Sequence, residues 1–225
     1  MKKLMLAVVM AVCGTVLAEE TPVMVSLVTP VQYPARDCDV KGFGFSLIYG
    51  ECDDFAGFDL GIVNNVYGDF TGLALGGVNI AREELYGAQV GLVNFNRNAQ
   101  LDWDKISIGL QFGVFNYADS FCGLQEGIVN VARGPVTGLQ SAMLNMGNDV
   151  YGAQFGLVNV TREIHGAQLG WYGFLCVNYA ESVSGCQLGI VNIAGRVESG
   201  LQIGLVNVNQ RNGWAPVLPI VNGGY

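Results

Sequence analysis

The sequence has little of what most enzymes and nucleic-acid-binding proteins use for their chemistry. Only 13% of its residues are charged, and His165 is its single histidine. Nineteen acidic residues outnumber eleven basic ones, which disfavours nucleic acid and acidic membranes as partners. After the first eighteen residues no unbroken apolar run reaches the length that a spanning helix needs, about 18 residues. The sequence therefore predicts no helical membrane anchor.

Motifs for catalysis and cofactor binding are also missing. No G-x-x-x-x-G-K-[ST] phosphate loop occurs, and Cys186 in Gly185-Cys186-Gln187-Leu188-Gly189 lies one place too early for a nucleophile elbow. Calcium-binding solenoids carry aspartate at fixed repeat places, whereas the aspartates here are read as lying at unlike places. His165 and Cys186 both occur where other repeats carry different residues. We expect no enzyme activity, no cofactor and no metal site.

What the chain does have begins with a secretory signal. Lys2 and Lys3 precede an uncharged run, and Val16 and Ala18 supply the small residues that signal peptidase requires. Cleavage after Ala18 would leave nine basic residues against nineteen acidic ones, a net charge of −10. We expect an exported protein of the cell surface, outer membrane or periplasm.

The remainder is a tandem repeat of the form G-[AL]-Q-x-G-[LI]-V-N followed by a variable half. We number these eight positions as places one to eight and continue the count beyond the Asn. Place one is Gly in every repeat: Gly42, Gly57, Gly72, Gly87, Gly109, Gly123, Gly138, Gly152, Gly166, Gly185 and Gly200. Eight of the ten spacings are 14 or 15 residues, and insertions at 100–105 and 171–174 lengthen the other two. Eleven registrations of one pattern indicate a repeat architecture.

Three further columns recur. Place three is Gln89, Gln111, Gln125, Gln140, Gln154, Gln168, Gln187 and Gln202. Place eight is Asn64, Asn79, Asn94, Asn116, Asn130, Asn145, Asn159, Asn178, Asn192 and Asn207. Place five is Gly apart from Ser46 and Ala142. A column that accepts nothing larger than Ala or Ser indicates a close approach of backbone.

The alternation within the octet predicts strands, because places two, four and six are apolar while places three and five are not. Two all-β architectures fit. In a β-solenoid each repeat is one coil and like residues stack; in an up-and-down outer-membrane barrel each repeat is one strand. The octet is shorter than a membrane strand of about 9 to 11 residues, which favours a solenoid of about eleven coils. We assign 1–18 to the signal peptide, 19–39 to an N-terminal lead-in or cap, 40–213 to the repeats and 214–225 to a C-terminal cap.

The Asn column is expected to form a ladder between coils. The Gln column has two interpretations: an amide-rich strip that binds glycan or another β-edge, or amides that bond only to one another. Five cysteines remain after cleavage, and export permits disulfides. Candidate pairs are Cys38 with Cys52 and Cys176 with Cys186, which leaves Cys122. Alternatively, Cys186 is a small hydrophobe replacing Leu or Ala in a core column.

The octet columns, the opening Phe45-Ser46-Leu47-Ile48-Tyr49-Gly50 and the ending Pro216-Val217-Leu218-Pro219-Ile220-Val221-Asn222 resemble an uncharacterised family of bacterial surface-repeat proteins. The resemblance implies a surface or envelope location and no known activity. Gln125, Gly127, Asn130 and Ala132 are also similar to the Q-x-G-x-x-N-x-A unit of curli-type subunits. We expect a structural, adhesive or binding role towards a glycan, a protein or further copies of the chain, with membrane contact only if the chain forms a barrel. Fibre formation is the alternative that the curli likeness implies.

Overall fold

A computed structural model of the chain describes residues 20–97, 106–171 and 176–224. The described chain is all-β. Its sixteen strands are β1 (Glu20–Val28), β2 (Val31–Tyr33), β3 (Asp39–Cys52), β4 (Phe55–Val66), β5 (Phe70–Ala81), β6 (Leu85–Asn96), β7 (Ser107–Phe112), β8 (Phe115–Ala118), β9 (Phe121–Glu126), β10 (Val129–Ala132), β11 (Val136–Ser141), β12 (Leu144–Gly156), β13 (Val158–Gly170), β14 (Val177–Leu188), β15 (Val191–Asn209) and β16 (Val217–Gly223).

The strands stack in parallel, so the predicted solenoid is confirmed and the alternative of a barrel is wrong. Each coil pairs with the next at equal places: Gly138 lies opposite Gly152, Gln140 opposite Gln154, and so on along the stack. The order of strands follows the order of coils from β3 to β15. In-register parallel pairing explains why whole columns of the sequence carry one residue type.

One coil is a flattened loop with two faces, seen most simply at β9 and β10. The six residues of β9 form one face, Gly127 and Ile128 form a corner, and the four residues of β10 form the other face. Residues 133–135 then turn back to the next coil. We call the two-residue bend at places five and six the corner and the bend between repeats the turn edge.

Both ends of the described stack carry an antiparallel strand. At the start, β1 continues the parallel stack below β3, and β2 folds back onto the Val25 to Val28 part of β1. At the end, β16 runs antiparallel to β15. The direction of pairing therefore changes at both ends of the stack.

Several sequence predictions lie outside the described residues. These are the signal peptide with its cleavage site, the insertion at 100–105, and residues 172–174 of the second insertion. Within the described ranges no helix is long and apolar enough to cross a membrane.

Candidate functional site

The glutamine column faces the interior and forms an unbroken amide ladder. All eight side chains are buried, and each later amide donates a hydrogen bond to the preceding one. Gln125 Nε2, for example, lies 2.7 Å from Gln111 Oε1, and Gln140 Nε2 lies 2.8 Å from Gln125 Oε1. Because both amide groups are used between coils, the column offers no outward strip to a glycan or a β-edge.

The asparagine column forms a second ladder that runs in the opposite direction. Asn116 Nδ2 donates to Asn130 Oδ1 at 2.9 Å, and Asn130 Nδ2 donates onwards to Asn145 Oδ1 at 3.0 Å. The same nitrogens also bond backbone carbonyls at place four of the following coil, as Asn116 does with Glu126 at 2.8 Å. The second ladder therefore satisfies backbone groups next to the corner.

The two glycine columns require glycine for different physical reasons. At place one the backbone takes a positive φ, such as 142° at Gly152, and a Cβ there would overlap the carbonyl oxygen of Gly138. At place five no positive φ is required, but a Cβ on Gly156 would overlap the carbonyl oxygen of Ala142. The predicted close approach of backbone is present in both columns.

The apolar places two, four and six face outward, which corrects the description of place two, the place of Cys186, as a core column. The interior receives instead places three, eight and ten and the residue two before place one, such as Phe121 and Val136. A chain with 51% hydrophobic residues thus fills much of its interior with amides. Many of its apolar side chains, those of places two, four and six, are left on the outside.

Exposed apolar side chains form a line along the corner, which we call the corner ridge. The ridge comprises Ile62 (57% exposed), Leu92 (63%), Val114 (46%), Ile128 (47%), Met143 (43%), Ile190 (37%) and Leu205 (70%). Apolar residues at places two and four flank the ridge on one face, and those at places seven and nine flank it on the other. In the described coils, Glu126 is the only charged residue at places two, four or six.

Charged residues collect at the opposite side, on the turn edge. Arg162 pairs there with Asp149 and Glu163, and Arg196 with Glu198. Each coil is therefore apolar around its corner and charged around its turn.

Four aspartates on the turn edge, Asp39, Asp54, Asp69 and Asp149, share the place three residues before place one, which corrects the reading of unlike places. Asp39, Asp54 and Asp69 stack in successive coils, and Asp54 Oδ1 accepts the Asp69 backbone N–H at 2.8 Å. Asp69 Oδ1 in turn accepts the Glu84 backbone N–H at 2.9 Å. These carboxylates cap backbone groups, and the part of the chain that the structure describes has no cluster of acids, histidines or cysteines able to hold a metal.

An open groove of about 530 Å³ lies on the outward surface where place four carries polar residues and not apolar ones. Glu126 and Ser141 occupy place four in adjacent coils, and Phe155 and Trp171 are also among the lining residues. The groove mixes one carboxylate and one hydroxyl with aromatic rings.

His165 and Cys186 are surface variants of their columns rather than parts of a constellation. The His165 ring stacks on Tyr151 with centroids 4.7 Å apart, and its Nε2 lies 3.7 Å from a Glu163 oxygen. Cys186 lies at place two between Ala167 and Leu201 of the neighbouring coils. Place two faces outward, so the core role considered for Cys186 is wrong.

Neither candidate disulfide is present: all five described cysteines are free thiols. Cys38 lies opposite Asp53 in the stack, so its partner position is one residue away from Cys52. Cys176 lies beside the corner, where its Sγ is 3.3 Å from Asn178 Oδ1, far along the coil from Cys186. Burial raises the pKa of Cys176 to about 11.

Among the described residues, the interior holds an unpaired carboxyl that the repeat pattern does not predict. Asp59 occupies place three, where later coils have Gln, and is fully buried. Burial raises its pKa from 3.8 to about 7. Neither carboxylate oxygen has a hydrogen-bond partner. The signal that could have located it was the loss of Gln at this place.

Compared with known proteins, the chain matches no family, no curated protein and no solved structure.

Proposed function

We propose that the chain is an exported repeat protein of the cell surface or envelope, with a structural, adhesive or binding role and no catalysis. The observation that carries the proposal is the outward surface, on which successive coils present the same side chains at the same places. Catalysis needs unlike groups converging on one point, whereas a stack of equal coils presents rows of equal groups. Such rows suit extended contact with another surface.

The interior supports a rigid scaffold. Two amide ladders and the backbone bonds between coils leave few polar groups unpaired, and a satisfied buried network rigidifies the structure that contains it. The antiparallel end strands β2 and β16 favour a rod of finite length over a fibre that grows by adding coils end to end.

The test is localisation of the full chain, including its first eighteen residues, in a bacterial host with an envelope. We expect recovery in the envelope or surface fraction, with an N-terminus at Glu19 by mass spectrometry. Retention in the cytoplasm with residues 1–18 still attached would contradict the proposal. A host lacking signal-peptidase activity is the matched control, because there the precursor should accumulate.

A further inference from the structure

The sequence predicts membrane contact only for a barrel, which the chain does not form. From the distribution of side chains on the solenoid, we nevertheless propose that it binds a zwitterionic phospholipid bilayer by inserting its corner ridge into one leaflet, with the turn edge in water. The bilayer would be the partner for the binding role proposed above. Only the biological relevance of this binding rests on the proposed function, because binding itself can be tested with the purified chain and vesicles.

The first support is the shape of the apolar surface. Apolar side chains surround the corner on three sides: the ridge itself, places two and four on one face, and places seven and nine on the other. A second protein sheet would cover one flat face and leave the other two sides in water. Acyl chains contact all three sides at once, so the pattern favours lipid over a second copy of the chain.

The second support is the hydrogen bonding of the corner backbone. Lipid offers no partners, so a segment within it must satisfy its own N–H and C=O groups. At the corner, Val114 N donates to the Leu92 carbonyl and Ile128 N to the Val114 carbonyl, each at 3.0 Å. Carbonyls at place four receive the asparagine amides as well. The bend of these coils thus pairs part of its backbone polar groups between coils.

The third support is dimension. A six-residue strand such as β9 spans about 20 Å at about 3.3 Å per residue, and its apolar places two and four lie in the half nearest the corner or at its middle. The apolar part of the coil is therefore roughly 10 to 15 Å deep, which matches one leaflet of a hydrocarbon core about 30 Å thick. Ten coils at about 4.8 Å spacing give a ridge about 50 Å long.

Glu126 is the exception, and it provides a sign test. An ionised carboxylate beside the corner opposes insertion, so removing its charge should strengthen binding to lipid. If the surrounding groove instead held a polar ligand through this carboxylate, the same change would leave lipid binding unaltered or weaken it.

The experiment measures flotation of the mature chain with phosphatidylcholine vesicles. Val114→Asp places a charge on the ridge, and Ile108→Asp places it at the turn end of the same coil, where exposure is similar (46% and 52%). We expect Val114→Asp to lower the partition coefficient at least tenfold, Ile108→Asp to change it less than twofold, and Glu126→Gln to raise it at least twofold. Thermal unfolding of each variant confirms that it is folded.

A second measurement needs no change to the ridge. In the Trp103→Phe/Trp214→Phe variant the remaining indole is Trp171, which directly follows corner residue Gly170, and we expect vesicles with brominated acyl chains to quench its fluorescence. Absence of flotation and quenching, or equal losses from Val114→Asp and Ile108→Asp, would overturn the proposal. A dimer without lipid that Val114→Asp dissociates, together with no vesicle binding, would assign the ridge to self-association. Localisation outside the envelope alongside vesicle binding would contradict the proposed function but not this inference.

Discussion

The first coils and the later coils follow the same backbone course, but different side chains fill their interiors. From Gln89 onward every coil places a glutamine in the interior, and the amides form one continuous ladder. Before Gln89 the same place holds Asp59 and Ala74, and the space is taken by the stacked rings of Phe55 and Phe70, 5.5 Å apart. Place three can therefore hold either a glutamine or a smaller residue that lies beside a large aromatic ring. The glycine columns and the Asn ladder, in contrast, are present in both regions.

The strands also break at different points in the two regions. β4, β5 and β6 run through the corner and end at the turn edge, where Asp54 and Asp69 cap backbone N–H groups of the next coil. β12, β13 and β14 run through the turn edge and end at the corner. The difference shows that the repeat specifies the course of the coil, while local side chains decide which bend is the more regular.

The largest effect is expected from the element that both regions share, the place-one glycines. Gly152→Ala forces an L side chain into a positive φ, at about 1 to 3 kcal/mol, and drives its Cβ into the neighbouring backbone, at about 1 to 3 kcal/mol more. Urea unfolding measures the loss. Gly77→Ala is the control, because Gly77 lies at outward place six, where other coils carry Ile or Leu, and should stay within about 1 kcal/mol of the parent. Equal stability of the two variants would contradict the glycine argument.

The second effect tests the other shared element, the Asn ladder. Asn130→Leu leaves Asn116 Nδ2 and Asn145 Oδ1 each without one partner, at about 1 to 3 kcal/mol per buried group left unsatisfied. Asn207→Leu, at the end of the ladder, removes only one ladder bond. Denaturant midpoints should fall further for the interior variant. Negligible and equal losses at both positions would argue against the ladder as a source of stability.

The third effect is confined to the later coils. Gln140→Leu breaks the bonds to Gln125 and Gln154, so it should cost about 1 to 3 kcal/mol per orphaned amide group, less the gain from burying an apolar side chain. Gln202→Leu should cost less, because Gln202 Oε1 already lacks a partner. Chemical denaturation of both variants gives the comparison, and a larger loss at Gln202 would contradict the direction of the ladder.

The fourth effect is confined to the first coils and depends on pH. In the window between 3.8 and about 7 the folded chain keeps the Asp59 proton that the unfolded chain loses, so stability falls as pH rises through that window. Asp59→Asn should remove this slope and be more stable than the parent at pH 8, by up to about 4 kcal/mol at 1.36 kcal/mol per pKa unit. Stability measured from pH 4 to pH 8 checks it, with exposed Asp53→Asn as the control. An unchanged slope in Asp59→Asn would refute the assignment.

The smallest effects on stability are expected at outward positions where the repeats carry different residues. His165→Ala and Cys186→Ala alter outward side chains and should shift stability by no more than about 0.5 kcal/mol. Thermal unfolding measures this, and turnover assays on simple ester and glycoside substrates accompany it. Loss of a measured turnover in either variant with its fold intact would contradict the non-catalytic proposal.

Much of the fold could be read from the spacing of residues. The period of 14 or 15, the equal columns and the alternation predict stacked parallel coils, because only in-register stacking gives each repeat an equivalent neighbour. The predicted disulfides were wrong, and the register of the coils again gives the reason. It places Cys38 opposite Asp53, one residue away from Cys52. Sequence spacing alone does not show on which side of the coil each thiol emerges.

By itself, then, the sequence determined the number of coils, their register and the membership of each column. Only the tertiary structure decided which column lies inside. Alternation places Gln140 and Leu139 on opposite faces of a strand, but it does not say which face is buried. Hydrophobicity favours burial of Leu139, which is the wrong choice. The amides can be buried because Gln125 and Gln154 stand above and below Gln140 within hydrogen-bond distance. That partnership exists only between coils, so the apolar residues of places two, four and six are left for the surface.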